Sequence, residues 1–299
     1  MFTATLIAAG KLSRGDISSG IDRLSDAGCR PAQGAWLDEG DAADLIFATG
    51  PEAARAALEG LAGIDVVVQP SLGRAKKLLV ADMDSTMITV ECIDELADYA
   101  GIKAEIAAVT EAAMRGELDF AEALDARVAL LRGLDAGAID RCRAERVRLM
   151  PGAVTLVRTM KAHGARAVLV SGGFTVFAGP VAAEIGFDVA IANRLGIVDG
   201  ALDGTVGRPI VDAATKLATI EAERLALGLE VADTLAVGDG ANDIPMIQAA
   251  GLGVAYHAKP RTAAAAGARI DHGDLTALLW AQGFSRGAWV GERDALSKG

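Results

Sequence analysis

Asp82-Met83-Asp84-Ser85-Thr86 follows directly on the apolar run Leu78-Leu79-Val80-Ala81. Carboxylates at i and i+2 of a strand project from the same side. Here the strand ends as they arrive, so both can line one pocket at its carboxyl edge. In such a pocket one carboxylate can attack while the other moves a proton. An isolated Asp-x-Asp reads equally as a solvated turn, so its meaning depends on what other segments deliver.

Two further strand ends deliver polar groups. The apolar stretch Ala165 to Val170 ends in Ser171-Gly172-Gly173, and Thr234 to Val237 ends in Gly238-Asp239-Gly240-Ala241-Asn242-Asp243. In an open parallel α/β sheet the ligand lies outside the carboxyl ends of the strands, which is where all three segments would meet. Asp82, Asp84, Asp239 and Asp243 in one pocket would repel each other and any phosphate. A hard divalent cation held by oxygens removes that conflict, and Mg²⁺ is the usual partner of phosphates. Ser171 can donate its hydroxyl to a phosphoryl oxygen, and Gly172 lets a backbone N–H come close. Lys216 lies early in a helix, behind Asp212 and Thr215, where its ammonium can neutralise a carboxylate or a transferring phosphoryl group.

The elements needed to position these residues are legible as an alternation of periods. From Ala75 onward, strands at Lys77–Ala81, Ala165–Val170, Val189–Ala192 and Thr234–Val237 alternate with helices, as a parallel α/β sheet requires. Between the first strand and the next, helical pieces near Ile93–Ala100, Lys103–Arg115, Phe120–Leu131 and Ala136–Leu149 are separated by Gly101, Gly116 and Gly133. This helical insertion, about 92–149, is expected to form a lid over the pocket. Pro151-Gly152 begins another helix, running to His163. Ahead of the sheet, strands at Thr3–Ala9, Ala32–Leu37, Ala43–Ala48 and Ile64–Gln69 and helices at Asp16–Ala27 and Pro51–Leu61 run β-α-β-β-α-β, the order of a split-βαβ sandwich. The expected fold is therefore α/β, a Rossmann-like parallel sheet with an inserted helical cap over 75–285, preceded by a small α+β domain over 1–72.

Composition narrows the partners. Hydrophobic residues make up 52% of the 299, enough for a substantial core, and net charge is −11. That surface repels nucleic-acid phosphates, and no Lys/Arg block is interleaved with aromatics, so no nucleic-acid partner is expected. No apolar run approaches the length of a membrane span. The N-terminus reads as a strand rather than a secretory signal, and Cys29, Cys92 and Cys142 read as reduced thiols, so the expected location is cytoplasmic without membrane association. His163, His257 and His272 lack the spacing of a metal triad.

Together, Asp82 to Thr86, Ser171-Gly172-Gly173, Lys216 and Gly238 to Asp243 stand in the order of the four motifs of the haloacid dehalogenase superfamily. The chain resembles that superfamily over about Ala75 to Trp280, and within it resembles the phosphoserine phosphatases. That family has a Glu nine residues beyond the nucleophile, as Glu91 stands to Asp82. It also has a cap stretch Met-x-Gly-x-Leu-x-Phe followed by Arg, here Met114 to Phe120 and Arg127, and an Ala-Asn-Arg-Leu segment, here Ala192 to Leu195.

The resemblance implies Mg²⁺-dependent hydrolysis of O-phospho-L-serine, the last step of serine biosynthesis, through an aspartyl phosphate on Asp82. Asp84 would serve as acid and then base. Asp82, Asp84, Asp239 and Asp243 would form the metal site. Ser171, Gly172, Gly173 and Lys216 would hold the phosphoryl group, with Asn242 positioning substrate or Asp82. Glu91 would take the substrate ammonium, Arg127 its carboxylate, and Met114 and Phe120 would close the cap over it. A sibling activity on another small phosphomonoester, or transfer to an acceptor such as homoserine, would use the same phosphoryl motifs. The N-terminal element order resembles ACT-type domains, which bind amino acids and often dimerise. It implies a homodimer through that domain, or else an assembly or packing role.

Overall fold

The computed structural model describes residues 1–115 and 117–291, apart from the Met114 side chain. Residues 2–70 form β1 (Phe2–Ile7), α1 (Arg14–Asp26), β2 (Pro31–Asp38), β3 (Ala42–Phe47), α2 (Pro51–Leu58) and β4 (Asp65–Pro70). The four strands make an antiparallel sheet in the order β2-β3-β1-β4. One face buries Leu6, Leu45, Phe47 and Val68 against Leu24 and Leu58 of the two helices. Ser13 and Asp16 close the start of α1 with a reciprocal capping box.

The larger part begins with β5 (Leu78–Ala81) and four helices, α3 (Cys92–Ala100), α4 (Lys103–Met114), α5 (Phe120–Leu130) and α6 (Gly137–Arg146). It continues through α7 (Ala153–Ala162), β6 (Arg166–Phe174), α8 (Thr175–Ile185), β7 (Val189–Asn193), β8 (Leu195–Val198), β9 (Ala201–Val206) and α9 (Ala213–Ala226). It closes with β10 (Thr234–Gly238), α10 (Ile244–Ala249), β11 (Leu252–Tyr256), α11 (Pro260–Ala265), β12 (Ala268–Ile270) and α12 (Ala277–Ala281). Six strands form a parallel sheet in the order β12-β11-β10-β5-β6-β7, a doubly wound arrangement in which chain direction across the sheet reverses between β5 and β10.

The central strand β5 is covered on both faces. Leu79 and Ala81 pack into one apolar cluster, Leu78 and Val80 into the other, and all four are fully buried. This is why the segment reads as an unbroken apolar run rather than an alternation.

The helical insertion sits between β5 and α7, and its two connections are stitched together. Ile88 bridges Leu149, the Thr89 N–H donates to Arg148 at 3.0 Å, and the Met150 N–H donates to Met87 at 2.9 Å. The expected helix Ala136–Leu149 therefore stops at Arg146, because Val147 to Met150 is consumed by this pairing. The β8–β9 hairpin, unforeseen from the sequence, supports the other side of the cap. The Gly133 and Ala136 N–H groups donate to Leu202 and Gly200, and the Leu202 N–H returns to Leu134.

The N-terminal sheet is pinned to the parallel-sheet unit by polar contacts. The buried Asp65 carboxylate accepts from the backbone N–H groups of Asp271, His272 and Gly273 at 2.8, 3.1 and 2.7 Å. Arg74 grips Asp44 at 2.6 and 3.0 Å. Trp280 Nε1 donates to Asp38 at 2.7 Å.

Candidate active site

The reversal between β5 and β10 opens a crevice at the carboxyl ends of the two strands. β5 delivers Asp82 and Asp84; β10 delivers Asp239, with Asn242 and Asp243 just beyond. Neighbouring β6 supplies Ser171 to Gly173. These glycines lie inside the strand as it is formed, not after its end, because Phe174 still pairs with Asn193; the ladder slips in register between Val170 and Phe174, where the three residues sit. Lys216 enters from the first turns of α9, which is capped by Asp212, whose side chain accepts from the Thr215 N–H at 2.8 Å.

Among the described residues, Asp82, Asp239 and Asp243 form one acidic group whose ligand atoms all lie within 4.8 Å of one another. The Lys216 ammonium bridges two of them, 2.7 Å from Asp82 Oδ1 and 2.6 Å from Asp243 Oδ1. The Lys216 and Asp243 side chains are 0% exposed. Burial lowers the basicity of Lys216, but Asp82 and Asp243 outweigh it and hold the lysine above its ordinary pKa. One lysine cannot balance three carboxylates. Burial and Asp243 accordingly push the Asp82 carboxyl well up. Burial, Asp243 and Glu91 raise Asp239 to about 6. This surplus of buried negative charge, displayed by oxygens alone, fits a hard divalent cation. Thr86 donates to Asp239 Oδ1 at 3.1 Å and the Gly240 N–H to Asp243 Oδ2 at 2.9 Å, which orients two of the three carboxylates.

The Asp84 carboxylate is not among the three. Its Oδ2 accepts from the Cys92 N–H at 3.4 Å, and its buried Oδ1 has no hydrogen-bond partner among the described residues. Burial, then the charge of Glu91, raises Asp84 to about 7. A carboxyl at that value can give up a proton and take one back near neutrality. The Asp82 Oδ1 oxygen is held by the Met83 N–H at 2.7 Å and by Lys216.

Ser171 accepts from the Gly173 N–H at 2.9 Å, which leaves its own proton to donate elsewhere. Two glycines here accommodate close approach. A Cβ on Gly173 would lie 3.2 Å from Asp84 Oδ2, and one on Gly172 would lie 3.1 Å from Phe120 Cζ. The lid residue Phe120, which starts α5 after the Asp119–Glu122 capping box, therefore stands directly over Gly172. Arg127, on the same helix, is half-buried and donates through Nε to the Ala123 carbonyl at 3.1 Å. Burial draws its basicity down, with Asp94 and Glu91 opposing. Glu91 precedes α3 and accepts from the Ser85 hydroxyl at 2.7 Å. Asn242 is half-buried beside Gly240. The Met114 side chain lies outside the described residues.

Three residues that motif reading leaves without a task also enter the site. Thr86 and Cys92 contact Asp239 and Asp84 as above, and the Cys92 thiol is kept protonated by burial and by Asp84. Asn193 donates to the Gly172 carbonyl at 2.8 Å and accepts from the Val211 N–H at 2.7 Å, tying the β6 loop to the segment that leads into α9. Its signal was the Ala192-Asn193-Arg194-Leu195 segment. His163 and His257 stand apart from the cluster, against the Ala288 and Gly273 carbonyls.

An acidic, cation-ready crevice at the switch point of a doubly wound sheet, roofed by a helical cap, is the arrangement of a hydrolase. The chain belongs to the haloacid dehalogenase-like hydrolase family, which matches residues 79–248. It is 49% identical over 226 residues to the phosphoserine phosphatase of Streptomyces coelicolor, covering 75% of this chain and 55% of that protein. It is 48% identical over 208 residues to the phosphoserine phosphatase of a Polaromonas species, covering 68% of this chain and 88% of that one. The crystal structure of a probable phosphoserine phosphatase from Vibrio cholerae, in unliganded form, superposes with a TM-score of 0.74 at 34% identity, over 94% of this chain and 88% of that chain. The chain thus spans little more than half the length of the Streptomyces relative.

Proposed function

We propose that this chain hydrolyses O-phospho-L-serine to L-serine and phosphate, as the last step of serine biosynthesis. The observation that carries the chemistry is the Asp82–Lys216–Asp243 bridge, set in the 4.8 Å acidic group with Asp84 alongside. Relatives that bear the name phosphoserine phosphatase, and match 75% and 68% of this chain, support the substrate.

In this reading Asp82, Asp239 and Asp243 hold Mg²⁺, with Asp84 beside them. When bound, that ion neutralises charge on the carboxylates and the phosphoryl oxygens. Asp82 attacks phosphorus in line and a carboxylate–phosphorus bond forms. The bond from phosphorus to the serine oxygen breaks, and Asp84 delivers its proton to that oxygen. Serine leaves. Asp84, now a base, takes a proton from water as the water attacks phosphorus, and Asp82 is released. Lys216, the Ser171 hydroxyl and the N–H of Gly172 hold the phosphoryl oxygens, with Gly173 keeping the chain close beside them; Asn242 positions substrate or Asp82. Glu91 receives the substrate ammonium and Arg127 its carboxylate, the latter in the bidentate geometry guanidinium allows. Phe120 and Met114 close the cap and exclude water until the phosphoenzyme has formed.

The same reading divides the chain into an N-terminal domain over 1–72 and a phosphatase domain over 75–285, with the cap over about 92–149. It makes the enzyme a cytoplasmic homodimer paired through the N-terminal domain, without nucleic-acid or membrane partners. In support, β2 lies at the edge of its sheet, net charge is −11, and among the described residues no helix is long and apolar enough to cross a membrane.

The test is phosphate release from a panel of phosphomonoesters with and without Mg²⁺. O-Phospho-L-serine is expected to be turned over far faster than sugar phosphates, and only with the cation. Equal turnover of both classes would sink the substrate assignment.

A further inference from the structure

Ser85 holds a backbone conformation that its side chain disfavours. Its φ is +55°, in the left-handed region that glycine occupies freely and asparagine tolerates. It stands between Asp84 and Thr86 in the turn from β5 toward α3, and its N–H reaches the Val90 carbonyl at 3.4 Å. Glycine would meet the turn's demand without strain. What serine adds is one hydroxyl, and that hydroxyl donates to Glu91 Oε1 at 2.7 Å. Glu91 is exposed and makes no side-chain bond to the start of α3, although it occupies the capping position. An exposed glutamate otherwise samples many rotamers, and a short bond to its charged oxygen selects one of them.

We propose that Ser85 is a positioning residue for substrate specificity. Its strained turn aims the hydroxyl at Glu91 and fixes that carboxylate in the orientation that receives the substrate ammonium through its other oxygen. The inference rests on the phosphoserine reading above, and deepens it. Strain that persists at a site where glycine would remove it points to a role for the side chain.

The test uses the full chain with Mg²⁺ and two substrates, O-phospho-L-serine and 3-phosphooxypropanoate, which lacks only the amino group. The readout is the ratio of their kcat/KM values in the wild type, Ser85→Gly and Ser85→Asn. Ser85→Gly relaxes the turn but removes the donor, and is expected to melt no lower than the wild type. Its ratio should nevertheless fall about tenfold, worth about 1.4 kcal/mol, with the loss carried by KM for phosphoserine. Ser85→Asn tolerates the same φ and restores an N–H donor, so it should recover most of the ratio. A purely conformational role makes the opposite prediction, since glycine suits the turn best. A Ser85→Gly ratio equal to that of a discriminating wild type would overturn the proposal, as would a Ser85→Asn ratio no better than that of glycine. A wild type that does not discriminate at all would overturn the phosphoserine reading and this inference with it.

Discussion

Replacing Lys216 with Met keeps an unbranched stem, one atom shorter, and deletes the charge. In the wild type the ammonium lies 2.7 Å from Asp82 and 2.6 Å from Asp243, and is fully buried. Removing one partner of a buried ion pair costs about 3–5 kcal/mol, because the remaining charge is left uncompensated. Here two carboxylates lose the same cation, so the upper half of that range applies. Domains of this size lose about 2–4 °C of Tm per kcal/mol, so a fall of about 8–20 °C is expected in EDTA. The penalty depends on pH in a defined sense. Deleting the lysine, which holds the Asp82 carboxyl down, pushes that carboxyl still further above its unfolded value, so the destabilisation is full above the raised value and fades as pH falls toward 4. Excess Mg²⁺ should recover part of the loss, since it supplies the missing positive charge. Adding Asp243→Asn removes one stranded charge, so the double variant should be more stable than Lys216→Met alone. Thermal melts of the wild type, both single variants and the double variant at pH 8 and pH 5 provide the assay. A Lys216→Met protein that melts within about 2 °C of the wild type at pH 8 in EDTA would refute the reasoning, as would a double variant no more stable than the single.

Other substitutions probe separate parts of the site. Asp84→Asn should stabilise the metal-free protein while slowing turnover severely. The Asp84 carboxyl is raised to about 7 from 3.8, so its burial penalty is full above pH 7 and vanishes toward pH 4. The ceiling is about 4 kcal/mol, and partial solvent contact reduces it to about 2 kcal/mol. Denaturant melts at pH 8 and pH 4 check the gain and its disappearance, and steady-state kinetics should show a kcat loss of about 10²–10⁴-fold. Gly172→Ala places a methyl 3.1 Å from Phe120 Cζ. It should hinder cap closure and lower kcat/KM for phosphoserine by about tenfold, and rescue by Phe120→Leu in the same background would locate the clash. Thr86→Val, which removes the hydrogen bond to Asp239, should raise the Mg²⁺ concentration for half-maximal activity by about 10–100-fold in a metal titration.

The polar residues at the strand ends were legible in the chain because each follows or closes an apolar strand. Asp82, Ser171 and Asp239 follow or close segments that had to be buried on both faces, and a parallel sheet brings such ends together. Features created by tertiary pairing were not legible. Helix α6 stops at Arg146 although helical character continues, because Val147 to Met150 pairs with the entering chain at Met87 to Thr89. Ser171-Gly172-Gly173 reads as a loop, yet β7 keeps the chain extended through Phe174. The β8–β9 hairpin did carry a local signal in Asp199-Gly200, whose φ values of +50° and +80° are those of a type I′ turn. Its strands are short and partly exposed, so no apolar alternation marked them. The left-handed turn at Ser85 has no signal in the sequence, since serine rather than glycine occupies it.

The nucleophile is the most consequential assignment. Rapid acid quench during turnover of O-phospho-L-serine, followed by proteolysis and mass spectrometry, locates the phosphoryl group on the enzyme. It should be found on Asp82 in the wild type and be absent from Asp82→Asn. A phosphoryl group on Ser171 or another side chain, or substantial turnover by Asp82→Asn, would contradict the account.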